Sequence, residues 1–92
     1  MPDFITPDMQ YTLFYETRDL YEAAVIHAFQ HPVLEVKRQS DGVCYFVFDD
    51  RAHCEKLVSD FRNRVLMINA KAFVESMRTM KDFIHSEERR RE

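Results

Sequence analysis

Ninety-two residues suffice for one hydrophobic core and not for two, because halves much below roughly 50 residues usually need disulfides or metals to hold together. A composition that is 46% hydrophobic and 32% charged excludes intrinsic disorder, and no run of about 18 apolar residues offers a membrane span. The net charge of −3 and a pI near 5.8 argue against a dedicated nucleic-acid binder, since phosphate contacts require a clustered positive field.

Residues 1–9 read as an extended lead. Its prolines and aspartates stand where a signal peptide would carry basic and then apolar residues, so the expected compartment is the cytoplasm. The aromatic run at residues 11–15 predicts a short strand. Thr17 then offers a capping hydroxyl, with Asp19 in the first turn, for a helix to about Gln30 that Pro32 forbids to continue. Leu20, Ala24 and Ala28, flanked by Tyr21 and Val25, form its expected buried stripe. Residues 33–39 alternate in part, and the face bearing Leu34, Val36 and Arg38 is the one expected to point inward. Ser40-Asp41-Gly42 signals a hairpin, since the single glycine sits where a turn needs positive φ. The strand that follows, residues 43–48, is apolar on both faces and is therefore expected at the centre of the sheet.

Asp49 or Asp50 caps a second helix, the other carboxylate favouring its dipole, and Cys54, Leu57, Val58 and Phe61 recur along it with helical period. The apolar segment 65–68 reads as a short strand or an extended linker. Asn69 caps a last helix over residues 70–85, and Ile68 and Phe73 have the spacing of a hydrophobic staple. Phe73, Met77, Met80 and Ile84 form its inner stripe, with Lys71, Glu75, Arg78 and Asp82 outside. The expected fold is α+β in the order β-α-β-β-α-(β)-α, with three helices and a small, mainly antiparallel sheet of three strands, or four if residues 65–68 join it. Residues 10–86 form the domain, between the lead and a charged tail at 87–92.

Few groups point to chemistry. One glycine excludes the usual phosphate-cradling loops and nucleophile elbows, each of which needs at least two. His27 and His31 have the i, i+4 spacing of two metal ligands, but no third ligand stands at a matching spacing, and His31 suits the negative end of the first helix. His53 and Cys54 are adjacent in a helix and diverge by about 100°, too far for proton transfer. Cys44 and Cys54 form no CxxC and read as two free thiols in a reducing compartment, with Cys54 a buried hydrophobe. No catalytic residue, metal, cofactor or small-molecule substrate is expected.

The stretch at residues 42–48 resembles in outline the third-strand motif of RNA-recognition domains, through Gly42, Tyr45 and Phe48, and LFYE at residues 13–16 loosely resembles their first-strand motif. Asp41 and Val43 stand where those domains carry a basic residue and a stacking aromatic, so the resemblance implies little base binding. A longer resemblance runs through Thr17-x-Asp19-Leu20-Tyr21-x-Ala23-Ala24, Tyr45-Phe46-Val47-Phe48-Asp49-Asp50, Asn69-Ala70-Lys71-x-Phe73-Val74 and Lys81-Asp82-x-Ile84-His85-Ser86. These motifs are similar to a family of short bacterial and phage-associated domains of unknown function. That implies a small stand-alone intracellular domain and supplies no activity.

The charge is unevenly distributed: residues 1–60 carry a balance of −6 and residues 61–92 of +3. The simplest reading is that the two halves attract one another within the fold or across a dimer. The chain is accordingly expected to be a non-enzymatic macromolecular-interaction module that binds a protein partner or itself, with Tyr45 and Phe46 as its candidate surface. The competing reading is nucleic-acid contact by Arg62, Arg64, Lys71, Arg78 and Lys81, which have only Glu75 among them. No membrane partner is expected.

Overall fold

The computed structural model describes residues 13–90, with side chains through residue 87. The lead at residues 1–9 lies outside the described residues. The elements are β1 (Tyr15–Thr17), α1 (Leu20–Ala28), β2 (Glu35–Arg38), β3 (Cys44–Phe48), α2 (Arg51–Arg62) and α3 (Ala70–Arg90). They form an α+β domain whose antiparallel sheet has the order β1-β3-β2.

The all-apolar strand β3 is central, as its sequence requires. Phe46 and Phe48 are 1% and 0% exposed and pack against Ala23, Ala24 and Ile26 of α1, Cys54 and Val58 of α2, and Met80 of α3. Tyr45 and Val47 alternate to the opposite, outer face. Helix α1 has no single buried stripe. All four residues Ala23, Ala24, Val25 and Ile26 are fully buried, whereas Leu20 and Ala28 are only half-buried, because α1 packs against β1, α2 and α3 at once.

The first strand lies later than predicted. Leu13 is helical, Phe14 irregular, and the strand begins at Tyr15; residues 11 and 12 are not described. The cap of α1 is Asp19, whose carboxylate accepts from Glu22 N–H at 3.0 Å, while Thr17 Oγ1 accepts from Asp19 N–H at 3.1 Å. The helix ends at Ala28, and Gln30 enters the left-handed region at φ 74° two residues before Pro32.

Leu34 departs from its expected inward position. Its N–H donates to Val47 O at 2.9 Å although Glu35 is the register partner of Val47, so Leu34 and Glu35 both oppose one residue. Such a bulge turns both side chains to one face. Leu34 is 49% exposed there, while Val36 and Arg38 share the inner face with Phe46 and Cys44. The hairpin closes as the sequence requires, with Gly42 at φ 88° and Val43 N–H donating to Asp41 Oδ1 at 2.9 Å.

Asp50 caps α2 from a left-handed conformation, and Arg64 at φ 65° turns the chain out of it. Residues 65–68 join no strand. Leu66 and Ile68 are half-buried while Val65 and Met67 are exposed, so the alternation of a strand exists here without a ladder partner. Asn69 Oδ1 accepts from Ala72 N–H at 2.9 Å and starts α3. Met80 is fully buried, and Phe73, Met77 and Ile84 pack partly buried beside it. The helix continues to Arg90, so the predicted tail is helical over its first four residues, as expected of Glu and Arg with no glycine or proline to stop them.

Candidate interaction surface

The helices cover one face of the sheet, and the other carries a shallow groove of about 600 Å³. Phe14, Leu34 and Val47 supply its apolar lining, and Glu16, Glu35, Lys37 and Arg51 its charges. Glu16, Val47 and Glu35 lie in one row across the three strands, and Lys37 stands opposite Tyr45 two rows on, the next on the same face. Lys37 reaches diagonally over β3 to pair with Glu16, and Arg51 pairs with Glu55 at 2.7 Å and donates to Phe14 O at 3.3 Å.

β2 is an edge strand, and its bonding phase can be read from its ends. Gln39 N–H donates to Val43 O at 2.9 Å, which continues the β2–β3 register as a hydrogen-bonded pair. Alternation then turns the backbone groups of Glu35 and Lys37 toward β3 and those of Val36 and Arg38 away from it. Among the described residues no strand pairs with that outer edge.

Of the residues singled out from sequence, Tyr45 lies half-buried on the outer face, but Phe46 is core. The expected Tyr45–Phe46 surface is therefore corrected to Tyr45 alone, because neighbouring strand residues point to opposite faces. Arg62 is likewise engaged within the fold: its Nε and Nη2 donate to Glu22 Oε2 at 2.9 and 2.6 Å. Arg64, Lys71, Arg78 and Lys81 are exposed, with Arg64 in the turn after α2 and the others along α3. Helical steps of about 100° leave Glu75 and Asp82 on the same side as Lys71 and Arg78, so these cations form no uninterrupted patch.

Glu22 is the polar residue that sequence reading missed. It is 6% exposed. Its Oε1 accepts from Tyr15 Oη and Thr17 Oγ1, both at 3.4 Å, and its Oε2 takes the Arg62 pair, joining β1, α1 and α2. Burial and the Glu22 charge push the Tyr15 phenol above its ordinary pKa, and the hydrogen bond to Glu22 raises that of Arg62. The only sequence signal was a carboxylate amid the apolar run of α1.

The histidines separate. His27 Nδ1 lies 2.8 Å from Ser76 Oγ, tying α1 to α3 beside a groove of about 580 Å³, and burial lowers its pKa. A serine–histidine contact alone is not acyl-transfer machinery, which also needs a group orienting the second ring nitrogen and donors for an oxyanion. His31 pairs with His53 rather than His27. Cys44 and Cys54 are both free.

Cys54 is fully buried, its Sγ–H donates to Asp49 O at 3.3 Å, and burial, with Asp50, Asp49 and Glu55 nearby, pushes the thiol up to about 11. The raised value keeps the proton on the folded state while the unfolded chain loses it. Its contribution to stability is full below about pH 9 and declines as pH rises toward about 11. Cys54→Ala is therefore expected to shallow the loss of stability in urea melts between those two pH values; an unchanged slope would contradict this.

These features define a small α+β domain with a charged, partly apolar sheet face and a strand edge that is unpaired among the described residues. Among the described residues no helix is long and apolar enough to cross a membrane. The chain belongs to the family described as Domain of unknown function (DUF5659), which matches residues 12–86. No curated protein and no solved structure matches it.

Proposed function

We propose that this chain is a non-enzymatic interaction module of the cytoplasm that self-associates by pairing the edge of β2 with the same edge of a second copy. Two free, buried thiols fit a reducing compartment, and the bacterial or phage-associated setting implied by the motifs belongs to the same reading. The observation that carries self-association is the charge order of the edge. Glu35 and Lys37 are two residues apart on one face, on either side of Val36, whose backbone groups point outward.

An antiparallel pair with its twofold axis at Val36 makes Val36 hydrogen-bond to Val36 of the second copy. It sets Glu35 opposite Lys37, and Lys37 opposite Glu35, in the non-hydrogen-bonded positions where side chains approach most closely. Moving the axis to Lys37 opposes lysine to lysine, and moving it to Glu35 opposes glutamate to glutamate. Charge thus selects one register, where an edge of like charges would simply be blunted against pairing. A four-residue edge buries little surface, so the dimer is expected to be weak and concentration-dependent.

Sedimentation equilibrium tests this reading. Wild type is expected to dimerise as concentration rises, Glu35→Lys and Lys37→Glu each to stay monomeric, and an equimolar mixture of the two variants to form heterodimers. A wild type that stays monomeric at the highest soluble concentration sinks self-association. Dimerisation indifferent to both substitutions sinks the edge. Salt-sensitive binding of random-sequence DNA or RNA by a monomer would favour Arg64, Lys71, Arg78 and Lys81 as the working surface instead.

A further inference from the structure

His31, just after α1, and His53, in α2, are 22 residues apart and separated by the β2–β3 hairpin, yet His31 Nε2 and His53 Nδ1 stand 2.7 Å from one another. The rings are 4.9 Å apart between centroids and tilted by 52°. Behind His31, Asp49 Oδ1 lies 3.4 Å from Nδ1. Both histidines are held by their elements. His31 follows the left-handed Gln30 and precedes Pro32, while His53 sits in the first turn of α2, where its own N–H donates to Asp50 Oδ1 at 3.3 Å.

The proton inventory of this contact is informative. A carboxylate accepts only, so Asp49 fixes the neutral His31 ring with its proton on Nδ1 and leaves a lone pair on Nε2. The His53 nitrogen facing that lone pair must then carry the proton between the two rings. Removing that one proton leaves two imidazole lone pairs facing each other across the 2.7 Å gap, and a turn of the rings aims both at a common point beside it, with a carboxylate behind one of them in the manner of a carboxylate–histidine–metal arrangement.

We propose that His31 Nε2 and His53 Nδ1 bind a divalent transition-metal cation that favours imidazole, with Asp49 as the residue that orients His31. Two bonds of about 2.0–2.1 Å set their nitrogens roughly 2.9 Å apart at a right angle and roughly 3.3 Å apart at a tetrahedral one. The right-angled, cis arrangement preferred by Cu²⁺ and Ni²⁺ requires the smaller opening from 2.7 Å, together with a rotation of the rings that turns their lone pairs off the line joining the two nitrogens. His53 is exposed, so its ring has room to make that movement. Among the described residues no group of three potential ligands assembles. The site is therefore a two-nitrogen one whose remaining positions face water, and hard cations that prefer oxygen are expected to pass it by.

Isothermal titration of the full chain with Cu²⁺, Ni²⁺, Zn²⁺ and Mg²⁺ in a non-coordinating buffer tests the site, with circular dichroism confirming that each variant is folded. Wild type is expected to bind one Cu²⁺ or Ni²⁺ saturably, Zn²⁺ more weakly and Mg²⁺ not at all. His53→Ala, at an exposed position, is expected to weaken binding by at least about tenfold, and Asp49→Asn by about tenfold or more through the orientation of His31. His85→Ala, an exposed imidazole on α3, should leave it unchanged. In imidazole proton or nitrogen resonances, Ni²⁺ should broaden His31 and His53 before His27. No saturable one-to-one binding by wild type, or binding indifferent to His53→Ala, overturns the proposal.

Discussion

Phe46→Ala is expected to lower the free energy of unfolding by about 3–5 kcal/mol, the cost of deleting a fully packed aromatic and leaving a cavity that its neighbours fill only in part. Phe46 is 1% exposed at the centre of the middle strand and packs in one cluster with residues of α1, α2 and α3. Small domains are stable by only about 5–15 kcal/mol in total, so the variant will be close to the limit of folding at physiological temperature. Tyr45→Ala, one residue away on the outer face, is expected to cost within about 1 kcal/mol. Urea unfolding of the two variants compares the faces of β3 directly, and equal costs would mean that their assignment is wrong.

Glu22→Ala is the second large effect, expected at about 2–4 kcal/mol. The cost comes from the buried side: the substitution deprives Tyr15 Oη and Thr17 Oγ1 of their charged acceptor and empties the space of a buried side chain, whereas the exposed Arg62 guanidinium regains water. The pair also couples elements remote in sequence, since Arg62 closes α2 and Glu22 lies in the first turn of α1. Arg62→Met should destabilise as well, because the buried carboxylate then keeps only its two longer contacts, those to Tyr15 and Thr17. In a Glu22→Gln background, with no buried charge left to satisfy, Arg62→Met should cost much less. Additive costs would show that the ion pair is not what makes the buried carboxylate tolerable.

What could be read from sequence was what local chemistry decides. The single glycine placed the hairpin, an uninterrupted apolar run placed β3 at the centre, and Asn69 with the Phe73, Met77, Met80 and Ile84 stripe placed α3. The errors have tertiary causes. Leu34 fits an alternating pattern, yet a bulge that depends on where β3 presents Val47 turned it outward. The aromatic residues near Tyr15 have strand propensity throughout, and only pairing with β3 decided which of them form β1. The alternation at residues 65–68 came to nothing because burial with period two does not require a ladder. Both polar constellations, Glu22 with Arg62 and His31 with His53, join residues 40 and 22 apart in the chain, beyond any spacing rule. Among the histidines, the i, i+4 spacing of His27 and His31 brings no contact between them, since the helix ended at Ala28 and His31 turned toward His53 of α2.

Amide hydrogen exchange at Val36 and Arg38, followed as protein concentration is raised, tests edge pairing most directly. Their N–H groups point away from β3, so in the monomer they should exchange at the fast rate of an open edge, while those of Glu35 and Lys37 are protected by β3. With increasing concentration the Val36 and Arg38 amides should gain protection together, and Glu35→Lys should abolish the gain. Exchange at Val36 and Arg38 that stays fast at every concentration while the protein dimerises would contradict edge pairing through β2.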